Sequence, residues 1–555
     1  MRNLPITARM SSLIVGAMGS VWGTCCLAAD DVPVSVSLSG AQIVSHEPLQ
    51  PSSVVSSDGP ADLADWINDR FHHFWNEQQV TPQFCDDFTY LRRVSLDILG
   101  RIPSIAEIRE FEADTSPEKR GRLVERLLRD PKDSSRMSLL AAEHLARVWR
   151  RVLLPPGASG AGRGPELEAW FRDQLVKNVS YDQLVRQLLT ARGEKASGEL
   201  PFYLAAGGTP EAEATEFSRA FLGIRIGCAQ CHHHPFTDWK QSDFWGMAAF
   251  FSGLKLGRIR VVDTMTVADE ILNDDDSQGI IAYEGVTYPA KVLWTDEPVT
   301  LTSKKRPREL LADWMTAAEH PTFSANAVNR IWQALLGRGL VAAVDDLDLE
   351  SDDTRALVDD FGRQFAASHF DLRELVSAIC RSEPYQCGSW TSSLEIADLR
   401  KGTRPLKALA PEQMFASLEQ ALSLPVSSSL SDAARHNGEM DQLVQRLSET
   451  SGRSPEEYHA GIPQTLLLMN GSLLKRATDL EQSHTLRGIL DAPFLTNAER
   501  IEILYLATLS RKPNAMERNH LLDELEKRSS ENDRRSLFGD LLWALVNSPE
   551  FVLCP

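Results

Sequence analysis

The spacing of apolar positions predicts helices along most of the chain. After Ser116, an apolar residue returns every three or four positions up to Pro131, which is the spacing of one buried helix face. The same pattern follows Ser180, which we expect to cap the next helix. The apolar stripes of these two helices are formed by Leu123, Val124, Leu127, Leu128, Leu184, Val185, Leu188 and Leu189. Such stripes indicate helices packed against one another in a scaffold.

Three other predicted helices begin with a capping box, in which a Ser, Thr or Asn precedes a Glu by three residues. These pairs are Ser104 with Glu107, Thr496 with Glu499, and Asn514 with Glu517. Residues 256–305 differ from this pattern. Apolar and β-branched runs at 258–262 and 286–288 flank an acidic loop at 274–276, and they predict short strands.

The first thirty residues have the pattern of a secretory signal peptide. Arg2 and Arg9 precede an uncharged run at 10–29 that ends in small residues. Residues 30–60 are rich in Ser, Pro and Val without periodicity, and we expect a flexible linker there. No later segment has about 18 uninterrupted apolar residues, so no membrane span is expected once the leader is removed. We therefore expect an exported protein, periplasmic or secreted.

These patterns predict a mainly α fold with two helical domains and a small β-containing insertion between them. A chain of 555 residues is too long for a single core. The predicted order is signal peptide, linker, first helical domain, insertion and second helical domain, at residues 1–29, 30–60, 61–255, 256–305 and 306–555. The net charge of −19 disfavours nucleic acid as a partner, because so acidic a surface repels phosphate.

The strongest chemical signal is a Cys-x-x-Cys-His sequence formed by Cys228, Cys231 and His232. In c-type haem attachment, two thiols at this spacing bond to the porphyrin and the following His ligates the iron. The sequence therefore predicts covalent haem c on Cys228 and Cys231 with His232 as axial ligand, for electron transfer to a redox or scaffold partner. A sixth ligand must come from a remote residue, and the candidates are Met247, Met469 and His144.

Two alternatives to haem remain open from the sequence. Cys228, Cys231, His232 and His234 could bind zinc or iron, because ligands close in sequence suit a tetrahedral ion. The two cysteines could instead form a disulfide in a structural or interaction protein. The apolar flanks could wrap a porphyrin or could form a local aromatic core; they are Phe221, Leu222, Ile224, Ile226, Phe236, Trp239, Phe244, Trp245, Phe250 and Phe251.

An acidic cluster at 345–353 and four further cysteines are weaker signals. A calcium loop starting at Asp346 would need Gly and Glu where the chain has Ser351 and Leu357, so a solvated acidic turn that caps a helix from Thr354 is favoured. Asp345 and Asp346 could also pair with Arg338. Two disulfides are possible, Cys380 with Cys387 and Cys85 with Cys554. No hydrolase motif occurs, and whether the protein is an enzyme stays open.

Over about residues 62 to 555 the sequence resembles a cytochrome-like domain of unknown function from exported planctomycete proteins, followed by its usual C-terminal companion. The Cys-x-x-Cys-His-x-His-Pro-Phe motif at 228–236 carries the resemblance. Further matches are Leu-Arg-Arg-Val-Ser-Leu-Asp-Ile-Leu-Gly at 91–100, Leu-Ala-Asp-Trp at 311–314, Asn-Arg-Ile-Trp at 329–332, Gly-Arg-Gly-Leu-Val at 337–341 and Asn-Ser-Pro-Glu-Phe at 547–551. The resemblance implies an exported two-domain protein and supplies no reaction. His233 stands where the family often has Asp.

Overall fold

The computed structural model describes most of the chain after residue 61. The described ranges are 62–129, 137–154, 164–192, 198–256, 259–262, 265–268, 272–273, 278–301, 304–320, 322–349, 352–389, 399–422, 479–480 and 483–554. They belong to one structural unit, Asp58–Pro555. The predicted signal peptide, the linker, the acidic loop at 274–276 and Met469 lie outside the described residues.

Helices dominate both halves of the described chain, as the apolar spacing predicts. The first half contains α1 Leu63–Glu77, α2 Asp87–Val94, α3 Ile105–Ala113, α4 Lys119–Arg129, α5 Met137–Leu153, α6 Gly164–Val176, α7 Tyr181–Leu189, α8 Leu200–Ala206, α9 Pro210–Phe217 and α10 Gln241–Ala249. The second contains α11 Pro307–Met315, α12 Phe323–Leu336, α13 Asp352–Ala367, α14 Leu372–Arg381, α15 Glu383–Gln386, α16 Pro411–Leu422, α17 His484–Leu490, α18 Asn497–Leu509, α19 Ala515–Glu526, α20 Glu531–Val546 and α21 Pro549–Val552. The mainly α prediction is confirmed.

The strands of the described residues form small antiparallel pairs. They are β1 Lys255–Leu256, β2 Ile259–Val262, β3 Met265–Ala268, β4 Leu272–Asn273, β5 Ile280–Tyr283, β6 Val286–Pro289, β7 Lys407–Ala408 and β8 Leu553–Cys554. β1 pairs with β4, β2 with β3, β5 with β6, and β7 with β8. The small β-containing insertion is thus confirmed, and its two predicted strand regions belong to separate hairpins.

The local helix signals are mostly confirmed. All three predicted capping boxes form, at the starts of α3, α18 and α19. The predicted stripes of α4 and α7 are buried. Ser180 is the N-cap residue of α7, with extended backbone as predicted, although its side chain makes no capping hydrogen bond.

One hydrophobic cluster includes residues of both halves, from Ala64 to Leu506. A buried arginine adds a polar connection between the ends of the chain. Arg92 of α2 donates to the carbonyl oxygens of Thr508, at 3.0 Å, and Phe551, at 2.9 Å. The division into two helical domains near residue 305 stays a prediction. Within the described residues, no helix combines the length and the apolar character that crossing a bilayer requires.

The described chain contains two π-helical turns, each of which ends at a glycine. One, Ser95–Leu99, follows α2 and ends at Gly100, and the other, Ser218–Leu222, follows α9 and ends at Gly223. Both glycines have left-handed backbone conformations, with φ of 71° and 63°. The second turn leaves carbonyl groups for side chains of α12, and the Ala220 oxygen accepts from Asn326 at 2.8 Å. This anchors the chain just before the Cys-x-x-Cys-His sequence.

Gly246 of α10 allows the segment after β6 to approach the helix backbone. The Lys291 amide donates to the Gly246 carbonyl at 3.1 Å, and a Cβ on Gly246 would lie 2.7 Å from Lys291 Cβ. We expect Gly246→Ala to lower the free energy of unfolding by about 1–3 kcal/mol, because the packed segment must shift. Chemical denaturation followed by circular dichroism measures this change.

Gly488 in α17 provides the matched control, because a Cβ there meets nothing within 4 Å. Gly488→Ala is expected to raise the free energy of unfolding by about 0.5–1 kcal/mol through helix propensity. Equal effects of the two substitutions would contradict the proposed close approach at Gly246.

Candidate functional site

The Cys-x-x-Cys-His sequence lies at the surface and is held by contacts with buried residues. Residues 227–239, here called the motif loop, begin with a 3₁₀ turn, Gly227–Gln230, in which Ala229 is buried. The Gln230 carbonyl accepts hydrogen bonds at 3.1 Å from the side chains of both Gln241 and Trp245 of α10. The loop is therefore fixed to α10 through its backbone, and Cys228, Cys231 and His232 are exposed.

Both thiols of the motif are free and exposed. Cys228 and Cys231 form no disulfide, and His232 beside them is exposed as well. The alternative in which the two cysteines are linked to each other is therefore not the state of this structure. Free thiols open to solvent are what covalent attachment of a flat prosthetic group requires.

The hydrogen bond of His232 determines which of its ring nitrogens can bind a metal. Its Nδ1 lies 2.6 Å from the carbonyl oxygen of His233. A carbonyl oxygen only accepts, so Nδ1 carries the proton and Nε2 keeps its lone pair. This arrangement, with Nδ1–H on a backbone carbonyl, is the one that orients an imidazole to bind a metal through Nε2.

The other two histidines are arranged differently. Nδ1 of His234 accepts from the backbone amides of Phe236, at 3.3 Å, and Thr237, at 3.1 Å. Nδ1 of His233 accepts from the Gln241 amide at 3.2 Å. Their ring protons therefore lie on Nε2, and ligation through either nitrogen would break these bonds.

His234 is thus placed as a turn-stabilising residue, which weakens the four-ligand metal alternative that included it. Among the described residues, no group of three or more His, Cys, Asp or Glu side chains is arranged to hold a metal ion.

The apolar flanks of the motif form a core. Phe221, Phe244, Trp245 and Phe251 are buried, whereas Phe236 is 83% exposed. Of the two interpretations left open by the sequence, the local aromatic core is the one the structure adopts for these buried rings. Two of the candidate distal ligands are buried as well, Met247 in α10 and His144 in α5.

An acidic turn at 345–348 packs on the motif loop. The Leu347 amide donates to the Gly223 carbonyl at 2.8 Å, and Trp239 Nε1 donates to Asp348 at 3.2 Å. Asp346 is only 7% exposed, and burial, with Asp348 as a second cause, raises the pKa of its carboxyl. The prediction of a solvated turn is therefore wrong at Asp346, because this residue is buried.

Of two further details of the acidic cluster, one agrees with prediction and one differs. The following helix α13 begins at Asp352, close to the predicted start at about Thr354. Asp345 pairs with Arg219 at 3.2 Å and with Arg330, and not with Arg338. Burial opposes ionisation of Asp345, but the arginines outweigh it and lower the pKa of this carboxyl.

The insertion and the segment after it supply aromatic neighbours that the sequence analysis missed. Tyr283 of β5 stacks on Trp245 with ring centroids 4.2 Å apart. Trp294 contacts Trp239 of the motif loop at 5.4 Å and is 47% exposed. Its φ of 61° is unusual for a bulky residue. The only sequence signal was a tryptophan in a polar loop.

His320 packs in the same aromatic group, and its burial predicts that acid destabilises the protein. Its ring meets Trp314 edge to face at 4.5 Å, and burial lowers its pKa from 6.5 to about 3. Between these values the unfolded chain binds a proton that the folded chain does not. The free energy of unfolding should therefore fall by about 1.4 kcal/mol per pH unit below pH 6.5 from this residue.

Urea denaturation at a series of pH values tests this prediction. Nδ1 of His320 accepts from the Thr322 and Phe323 amides, so His320→Asn retains an acceptor. On acidification, the free energy of unfolding of the variant should fall less steeply than that of the parent, and the difference in slope should correspond to about one bound proton. Above the ordinary histidine range the two proteins should show the same slope. An unchanged acid slope would contradict the assignment to His320.

The four remaining cysteines of the described chain are also free. The two disulfides that the sequence left possible, Cys380 with Cys387 and Cys85 with Cys554, are therefore not formed. Burial raises the pKa of Cys387 to about 12, and its thiol donates to the Glu383 carbonyl at 3.6 Å. Burial also raises the pKa of Cys380 and Cys554. These thiols are packed as small apolar groups.

Two family models match parts of the chain. Residues 66–255 match PSCyt2, a protein of unknown function (DUF1549), and residues 307–415 match PSD1, a protein of unknown function (DUF1553). No curated protein and no solved structure matches. The motif loop lies within the first matched segment and the acidic turn within the second. The chain is therefore similar to two families of unknown function in N-to-C order, PSCyt2 and then PSD1.

Proposed function

We propose that this protein is an exported electron carrier that holds one haem covalently through Cys228 and Cys231, with His232 as the axial ligand. The observation that carries the proposal is the state of His232: its Nδ1–H is held by the His233 carbonyl, so Nε2 is available to iron. The free, exposed thiols beside it support the same assignment. Haem bound there would supply one-electron oxidation and reduction at its iron.

The chain's own residues would position the group rather than react. The backbone bonds from Trp245 and Gln241 to Gln230 fix the turn between the two cysteines. The bonds from the Phe236 and Thr237 amides to His234 hold the following turn and occupy Nδ1 of that imidazole. The net charge of −19 favours a basic redox partner.

The test is expression of the full chain, with its own N-terminus, in a bacterial host that carries the haem attachment machinery. We expect an absorption spectrum of haem c that survives acid-acetone extraction, and an intact mass increased by one haem. Stoichiometric zinc or iron without porphyrin would instead favour the metal alternative with Cys228, Cys231, His232 and His234. A mass showing Cys228 linked to Cys231 would favour an interaction protein.

A further inference from the structure

The acidic turn at 345–348 is the part of the PSD1-like segment that contacts the motif loop. Its contacts involve both sides of the Cys-x-x-Cys-His sequence: Gly223 before it and Trp239 after it. The turn is held in place from behind, because Asp345 is paired with Arg219 and Arg330. Carboxylates of the second segment therefore lie beside the residues that flank the motif of the first.

Asp346 differs from its two acidic neighbours in its partners. Asp345 forms salt bridges with Arg219 and Arg330. Asp348 pairs with Arg355 at 3.4 Å. Asp346 forms no salt bridge with any described residue, and the charged or titratable side chains that act on it are Asp348, Arg225 and His234. Its negative charge is therefore poorly neutralised, and the protein matrix around it screens charge less than water does.

We propose that Asp346 is a positioning and electrostatic residue of the haem site, and that its carboxylate holds the reduction potential low. The proposal rests on the proposed function. A nearby negative charge stabilises the oxidised haem, which carries one more positive charge than the reduced haem. On this view the second segment completes the site of the first, which gives the contact between the two matched segments a function.

The test is a spectroelectrochemical redox titration of the haem-loaded full chain, at a pH well above the ordinary range of carboxyl groups. We expect Asp346→Asn to shift the midpoint potential to a more positive value, because the variant removes the charge and keeps the shape. Asp346→Glu should restore a potential close to that of the parent. Asp360→Asn is the control, since Asp360 pairs with Arg70 and Arg363 on α13 and makes no contact with the motif loop among the described residues.

A second variant keeps the test independent of whether Asp346→Asn folds. Arg225 has 58% of its side chain exposed and lies three residues before Cys228, so Arg225→Gln should fold normally. It removes a positive charge that acts on Asp346 and that also pairs with Asp345 at 3.6 Å, and we expect a shift of the opposite sign, to a more negative potential. A haem-loaded protein whose potential is unchanged in these variants would overturn the role of Asp346 and leave the proposed function intact. A parent chain that never acquires haem would overturn both.

Discussion

Replacing Cys228 and Cys231 together by serine is expected to abolish covalent haem attachment completely. Serine keeps the size and exposure of both side chains but cannot form the thioether bonds. Each single variant should retain one thioether and a reduced yield. In-gel haem staining under denaturing conditions and the intact mass measure the effect directly.

The controls separate attachment from folding and from ligation. Cys85→Ser should keep haem, because Cys85 lies outside the motif and is only partly exposed. His232→Ala should keep the covalent bonds but change the spectrum, since the axial imidazole is lost. His234→Ala should retain the axial ligation and at most loosen the turn at Phe236 and Thr237. Covalent haem in the double serine variant would contradict the assignment.

Replacing Asp97 by alanine is expected to lower the free energy of unfolding by about 3–5 kcal/mol. The Asp97 carboxylate is fully buried in the π-helical turn after α2. It accepts from the Tyr385 hydroxyl at 2.6 Å and from Arg404 at 3.4 Å, and it also pairs with Lys407. Without it, two cations remain in the interior with no carboxylate partner there, and an uncompensated buried charge is costly.

Urea unfolding followed by circular dichroism measures this loss. Asp97→Asn should lose nearly as much, because it retains the shape but removes the charge. Glu112→Ala provides the contrast: its pairing with Lys512 is solvent-exposed, and such pairs contribute about 0–1 kcal/mol. Similar losses in Asp97→Ala and Glu112→Ala would show that burial of the Asp97 network does not matter.

Much of the fold could be predicted because the signals are local. The capping box of Ser104 and Glu107 needs only residues three positions apart, and the stripe of α4 follows from the helical repeat alone. The motif at Cys228 and Cys231 is readable for the same reason, since haem attachment imposes a spacing within five residues. Whether cysteines far apart in the sequence form a disulfide could not be predicted. Cys85 and Cys554 stand at opposite ends of the described chain, and both are free.

The sequence by itself determined the mainly helical class, the capped helix starts and the position of the Cys-x-x-Cys-His motif, because each depends on neighbours a few residues apart. Only the tertiary structure decided that Asp346 is buried, that the flanking aromatic rings form core, and that His232 and His234 carry their ring protons on opposite nitrogens. The first two features depend on segments that are distant in the sequence and come together when the shared core is buried. The ring protons depend on backbone groups within three residues, whose positions are fixed only in the folded loop.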